Sequence, residues 1–397
     1  MPTQNNVTKN SRLQVFDSDG QLTKFLETNF TESLKQMIRV VVKVMIKSEM
    51  DELRSQVDEK LQFNGNYYRN MISTYGKVDD IPVPRFRQNP EVGFKPNSLG
   101  VFDAEQDKFE KLIEQMHLLG ISQRKIKTLA QTCFNIPIST NKVGVIVKEL
   151  AEAESVNINS KILDDEYEYI YLDGIWEKTK GYGWDNNKTV LLCALGTKPN
   201  GERRIIGFSL AAAEDKESWE RLLTSIKQRG LTGRNLKLVT ADDHSSIQPA
   251  IEKVYRNVPV QSCVIHKMRR VIGLTNFKNR KQIASEVKEV FSQETKEQST
   301  SKAKAMVKKW YMTEPKAMQS LRYGFEQCLT YMDFPKENWK QIRTTNVLER
   351  EFREFRRRMK VFDNTFQSPE SANRYANSII NYLNSNYPSR QQLHTKS

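Results

Sequence analysis

The run Tyr167–Trp176 (YEYIYLDGIW) alternates as a strand with one packed face does, yet it carries an acid, Asp173, among Tyr171, Leu172, Ile175 and Trp176. An ionised carboxylate in such surroundings is costly unless it is paired or holds a cation. The chain must therefore build a sheet around Asp173 and bring it a partner. Strand material follows at once. Thr189–Gly196 (TVLLCALG) reads as a buried strand, and Pro199, Asn200 and Gly201 turn it into Arg204–Leu210 (RIIGFSL). An amphipathic helix with Trp219, Leu222, Leu223 and Ile226 closes at Gly230. Strands Leu236–Thr240 and Val258–Val264 then flank a helix from His244 to about Tyr255.

Three antiparallel strands, a helix, a strand, a helix and a strand are the order of an RNase H-like sheet, an α+β or α/β arrangement. In that order the first and fourth strands are neighbours. Asp242 ends the fourth strand before a helix, where open sheets present functional groups, so Asp173 and Asp242 are placed to share a cation. Simpler readings stand beside this one: Asp242 or Asp243 caps the next helix, and Asp173 before Gly174 marks a bulge. A third acid lies on a later helix. The series Leu348, Phe352, Phe355, Met359, Phe362 runs at helical steps, and Glu349, Arg353, Arg356 and Lys360 follow one residue along, bordering the buried stripe. The plainer account of Glu349 is a capping box with Asn346 as N-cap.

Upstream the patterning is helical. Residues 1 to about 20 are polar and aperiodic, after which Leu34, Met37, Ile38, Val41 and Met45 recur at helical steps, as a core helix or a dimerising pair requires. The segment around Tyr67, Tyr68 and Arg69 breaks that period, and Pro82 and Pro84 force extended backbone, setting Arg85 and Arg87 on one side of a basic arm suited to phosphates. From Ala104 three helices read as a helix-turn-helix: the first stops at Gly120, Ser122 caps the second, and Ser139 caps the third. Thr140, Asn141 and Lys142 at the start of the third helix are the expected groove-reading residues.

Charge agrees with such a partner. The 397 residues carry 62 Lys plus Arg against 48 Asp plus Glu, a net +14, which favours polyanions. No run of about 18 apolar residues suits a membrane span, and the first residues, MPTQNNVTKNSR, lack a signal-peptide core, so a cytoplasmic, nucleoid-associated protein is expected. Four scattered cysteines indicate no disulfide framework, and four histidines suggest that any metal depends on carboxylates.

The elements YLDGIW, LVTADDH, QSCVIHKMRR and RTTNVLEREFREFRRR, in this order, resemble the DDE transposases of bacterial insertion sequences related to Mutator elements. The resemblance spans roughly residues 50 to 375. Cys263 and His266 match the family's Cys-x-x-His signature, and Thr345 and Asn346 belong to the block around its catalytic Glu. No second pair completes a zinc site, so Cys263 and His266 are given a structural or DNA-facing role. Many relatives have Gly where this chain has Asp243, which leaves Asp242 and Asp243 both open as ligand. The resemblance implies Asp173, Asp242 and Glu349 as catalytic and metal-binding residues, with two Mg2+ or Mn2+ ions. It implies water-driven cleavage at a transposon end, followed by attack of the freed 3′-OH on target DNA. Partners would be double-stranded DNA (terminal inverted repeats and target) and a second copy in a homodimer, with no membrane. DNA contacts are expected from Arg69, Arg85, Arg87, Thr140, Asn141, Lys142, Lys267, Arg269, Arg270, Arg353, Arg356, Arg357, Arg358 and Lys360. The expected organisation is a helical region (1–60), a basic arm (61–103), a helix-turn-helix (104–160), the first part of an RNase H-like core (161–275), an all-helical insertion (276–340), and the Glu349 helix with C-terminal helices (341–397). Another RNase H-like nuclease, or a regulator with an inactive core, are the alternatives.

Overall fold

The computed structural model describes residues 19–56, 63–73, 76–86, 96–154, 157–178, 188–242, 246–359 and 369–386. The chain divides into two units, residues 1–117 with 123–147, and residues 118–122 with 148–397.

The first unit holds helix α1 (Asp19–Gln56), strands β1 (Phe63–Ser73) and β2 (Gly76–Phe86), helices α2 (Gly100–Leu118) and α3 (Gln123–Phe134), and the start of α4 (Thr140–Glu154). The expected basic arm is an antiparallel hairpin, β1 against β2, in which Tyr67 faces Val83 and Tyr68 faces Pro82. Proline is tolerated there because in a two-stranded sheet every strand is an edge. Met71, Val78, Ile81 and Val83 pack with Val42 and Ile46 of α1 and with Leu99. Glu49 fixes the chain before α2 by accepting from the N–H groups of Asn97 (2.6 Å) and Ser98 (2.8 Å). The periodic series expected to mark the α1 core is mostly outward: Met37, Val41 and Met45 are exposed. An apolar helix offers more than one stripe, and the hairpin takes the one centred on Val42 and Ile46.

Helices α2 to α4 are separated by short turns. Gly120 turns at φ +89°, and Asn135 closes α3 at φ +51° while Ile136 N–H donates to Ala130 O (3.1 Å), a Schellman ending. Ser139 caps α4, its Oγ accepting from Lys142 N–H at 3.1 Å.

The second unit is built on β3 (Tyr169–Lys178), β4 (Lys188–Thr197), β5 (Arg203–Ala211), β6 (Leu238–Ala241) and β7 (Val260–Ser262), in the order β5-β4-β3-β6-β7. The pairs β3–β4 and β4–β5 are antiparallel, while β3–β6 and β6–β7 are parallel. Its helices are α5 (Lys216–Gln228), α6 (Ile247–Val254), α7 (Val264–Gly273), α8 (Phe277–Val290), α9 (Lys296–Trp310), α10 (Pro315–Arg322), α11 (Lys336–Ile342), α12 (Asn346–Met359) and α13 (Pro369–Ser385).

Alternation along β3 assigns its faces. Ile170 and Leu172 pack with Trp219, Leu223, Ile226 and Ile251 of α5 and α6. Tyr169, Tyr171 and Ile175 join the core that includes Leu348, Phe352 and Phe355 of α12 and Ile379 of α13. Asp173, two residues from Tyr171 and Ile175, therefore points to the α12 side. No bulge marks it, since Asp173 pairs with Cys193 and Gly174 with Leu192 in unbroken register.

Past α5 the chain turns at Gly230, φ +123°, just after Arg229 O accepts from Leu163 N–H at 2.7 Å. A Cβ at residue 230 would lie 2.1 Å from Leu163 O. Gly230→Ala is expected to cost about 3 kcal/mol through the backbone shift and the disfavoured φ. Chemical denaturation checks this; an unchanged midpoint would refute the close approach.

Candidate active site

The site begins with register. Along the β3–β6 ladder Leu172 pairs with Ala241, so Asp173 and Asp242 are the next residues on the two strands, side by side where β6 ends. The helix after β6 starts at Ile247 with Ser246 before it, so Asp242 is not its cap. Asp243 lies outside the described residues.

Beyond β7, Cys263 N–H donates to Ala241 O at 2.8 Å, and α7 begins at Val264. Its first turn carries His266. Nδ1 of His266 stands 3.4 Å from Asp242 Oδ1 without making a hydrogen bond, and Nε2 stands 3.3 Å from Glu349 Oε1.

The segment that delivers Glu349 is stitched to the strand ends. Thr240 Oγ1 donates to Ile342 O (2.7 Å) and Val264 N–H to Arg343 O (3.1 Å), while Cys263 Sγ accepts from Thr345 N–H (3.4 Å) and Thr345 Oγ1 (3.6 Å). Helix α12 starts on this anchor, with Thr345 O accepting from Glu349 N–H at 3.0 Å. Thr345 thus occupies the cap position that the sequence pattern offered to Asn346, and the Glu349 carboxylate is used elsewhere. It receives Arg269 Nη1 at 2.6 Å on Oε1 and Nη2 at 3.4 Å on Oε2. Asp173, His266 and Glu349 each offer a donor atom within 4.8 Å of the others.

Burial sets the electrostatics. Asp173 is 6% exposed. Burial lifts its pKa to about 7; His266 opposes the rise, while Asp242 and Glu349 add to it. At His266 burial disfavours the charged ring, but Cys263, Asp242 and Asp173 outweigh it and the pKa rises to about 9. Imidazolium and guanidinium thus offset carboxylates that would otherwise repel one another. Gly174 leaves room for a further acid, since a Cβ there would meet the Glu214 carboxylate at 3.1 Å.

Residues 9–389 match the family model described as Transposase, Mutator family. The chain belongs to the Mutator family of transposases. It is similar to the transposase of insertion sequence element ISRM5 of Rhizobium meliloti (strain 1021), at 26% identity over 343 residues and 84% of each chain. The transposase of IS406 from Burkholderia multivorans is 28% identical over 80% of each chain. That of IS256 in transposon Tn4001 from Staphylococcus aureus is 27% identical over 84% of each.

In this Mutator-family transposase two expected DNA contacts are withdrawn from the surface. Lys267 is fully buried and donates Nζ to Tyr323 O (2.6 Å) and Ser320 O (3.3 Å), closing the C-terminal end of α10. Arg358 is 1% exposed, bonded to Glu354 Oε2 at 2.6 Å and stacked over Tyr382 at 4.9 Å. Both fall on the inward stripe of their helices, which a count of positive charge does not reveal. Arg269, Arg270, Arg353, Arg356 and Arg357 are exposed, as are Asn141 and Lys142, with Thr140 half-buried. Arg69 pairs with Asp103, and Arg85 lies over Tyr67 at 5.2 Å. Arg87 and Lys360 are outside the described residues. His266 joins the acids, beyond the structural or DNA-facing role expected of it; the signal in the sequence is its three-residue step from Cys263, which on α7 turns one residue to the anchor and the other to the acids. Among the described residues no helix is long and apolar enough to cross a membrane.

Asp173 binds its proton more tightly folded than unfolded, so its stabilising effect is complete below about pH 4 and is lost as the pH rises through 7. Without metal, the unfolding midpoint should fall across that window, by up to roughly 4 kcal/mol of stability. Asp173→Asn is expected to remove most of this slope; an unchanged slope would contradict the burial argument.

Proposed function

We propose that this transposase cuts and joins DNA at the ends of its own insertion sequence, through an RNase H-like core in which Asp173, Asp242 and Glu349 act together. The observation that carries the reading is the Leu172–Ala241 register, which sets Asp173 beside Asp242, combined with the reach of Glu349 to the same place. The sheet order β5-β4-β3-β6-β7, two antiparallel pairs continuing into two parallel ones, supports an RNase H-like core.

Asp173 and Glu349, grouped with His266, and Asp242 beside them suit a hard divalent cation, Mg2+ or Mn2+, because carboxylate oxygens dominate the set and one of them, on Asp173, is buried. Held by Asp173, Asp242 and Glu349, two such ions would supply Lewis acidity, activating the attacking oxygen and offsetting charge on the leaving one. The stitched segment Ile342–Thr345 fixes where Glu349 stands, and the imidazole of His266 fills the space between Asp242 and Glu349. In the first reaction a water oxygen bonds to phosphorus, the P–O3′ bond breaks, and the 3′ oxygen leaves as a hydroxyl. In the second, that 3′ oxygen bonds to a phosphorus of target DNA as the target's own P–O3′ bond breaks; the displaced target 3′ oxygen leaves as a hydroxyl, and the proton lost by the attacking hydroxyl balances the one it gains.

Helices α2 to α4 serve as the helix-turn-helix, with Thr140, Asn141 and Lys142 at the groove, and exposed Arg353, Arg356 and Arg357 hold phosphates. Joining two ends calls for at least two copies of the chain, a homodimer being the smallest assembly. Asp173→Asn, Asp242→Asn and Glu349→Gln should each reduce nicking of a terminal-repeat duplex by at least about a thousandfold, while mobility-shift affinity changes little. Retained nicking in all three would overturn the assignment.

A further inference from the structure

Helix α7 connects the site to a second surface. His266, Arg269, Arg270, Gly273 and Leu274 recur at three- and four-residue steps and share one face, leading over about 12 Å from the acids to the turn into α8. That turn displays Phe277, 86% exposed, and Leu274 is also exposed. Beside it, the turn between α9 and α10 displays Met312, 88% exposed. The two turns are stapled by the buried Glu314, which accepts from Asn276 N–H (3.1 Å), Asn276 Nδ2 (3.0 Å) and Asn279 Nδ2 (2.7 Å). Arg280 donates to Thr275 O at 3.2 Å and lies over the Phe277 ring at 6.0 Å. A buried carboxylate and a stacked guanidinium thus order a corner whose tips are apolar and in water.

The charges around the corner identify what covers it. The first five residues of α8 carry Lys278, Arg280 and Lys281 and no acid, and Arg270 is exposed on the approach. The centres of protein–protein interfaces are depleted in charged residues, lysine among them. Aromatic rings set among lysines and arginines match a strand of nucleic acid with unpaired bases, phosphates to the cations and a base to the ring.

We propose that the α7–α8 corner binds the DNA strand adjoining the cut site, with Phe277 stacking on a base that has left the duplex. This rests on the DNA-cutting reading above and adds to it a site for unpaired DNA. The test compares full-length wild type with Phe277→Ala, Phe277→Trp and Lys278→Glu/Lys281→Glu, by fluorescence anisotropy on a labelled blunt duplex and on the same duplex with a single-stranded extension. Phe277→Ala should weaken binding of the extended probe about tenfold while leaving the blunt duplex within about twofold, and Phe277→Trp should restore it. The lysine reversals should weaken the extended probe more steeply at low salt than at high salt. Equal affinity of wild type and Phe277→Ala for the extended probe would overturn the proposal while leaving the cutting function standing. So would a Phe277→Ala protein that changes only its self-association. A wild type that binds neither probe would overturn the DNA reading itself.

Discussion

The parallel pairing of β3 with β6 is the constraint on which the site depends. Strand pairing has a period of two, so a slip of one residue would turn Asp173 to the opposite face, away from α12. The observed register leaves Asp173 and Asp242 adjacent beyond the last pair, Leu172 with Ala241. The packing of Ile170 and Leu172 on α5 and α6, and of Tyr171 and Ile175 on α12 and α13, holds that register from both sides.

A long helical excursion, α8 to α11, separates the third acid from the sheet, yet Glu349 needs little freedom to arrive. Three of the four residues from Ile342 to Thr345, namely Ile342, Arg343 and Thr345, are bonded to β6 and to the start of α7 before α12 begins. Cys263 is a hinge in this stitching: its backbone continues the sheet and its sulfur anchors Thr345. Arg269 and His266, both on α7, then meet the Glu349 carboxylate. Sheet, α7 and α12 are thereby one electrostatic unit, and any cation entering it competes with side chains already neutralising the acids.

Much of this was legible in the chain. An acid bracketed by Leu172 and Ile175 demanded a partner, the strand order suggested Asp242, and helical spacing drew attention to Glu349. Local pattern fell short where partners are distant in sequence. Pro82 and Pro84 indicate extended backbone, but the pairing of that strand with β1 is set by partners that no local pattern names. Lys267 and Arg358 were read as phosphate contacts because cations at such density are usually outward; one is consumed by carbonyls of α10, the other by Glu354 and Tyr382. Of the two readings of the α1 stripe, a core face or a dimerising face, the core one does not hold for Met37, Val41 and Met45, because the helix has more apolar residues than one face can hold and the hairpin covers Val42 and Ile46. Of the structural or DNA-facing roles open to Cys263, the sulfur's contact with Thr345 supports the structural one.

The central claim is that Asp173, Asp242 and Glu349 form one cation-binding unit. Anomalous diffraction from crystals soaked in Mn2+ addresses it directly. The account predicts Mn2+ peaks between these three carboxylates, with Arg269 drawn away from Glu349. An empty site at saturating Mn2+, or a peak held by other residues with the Arg269–Glu349 pair intact, would contradict it.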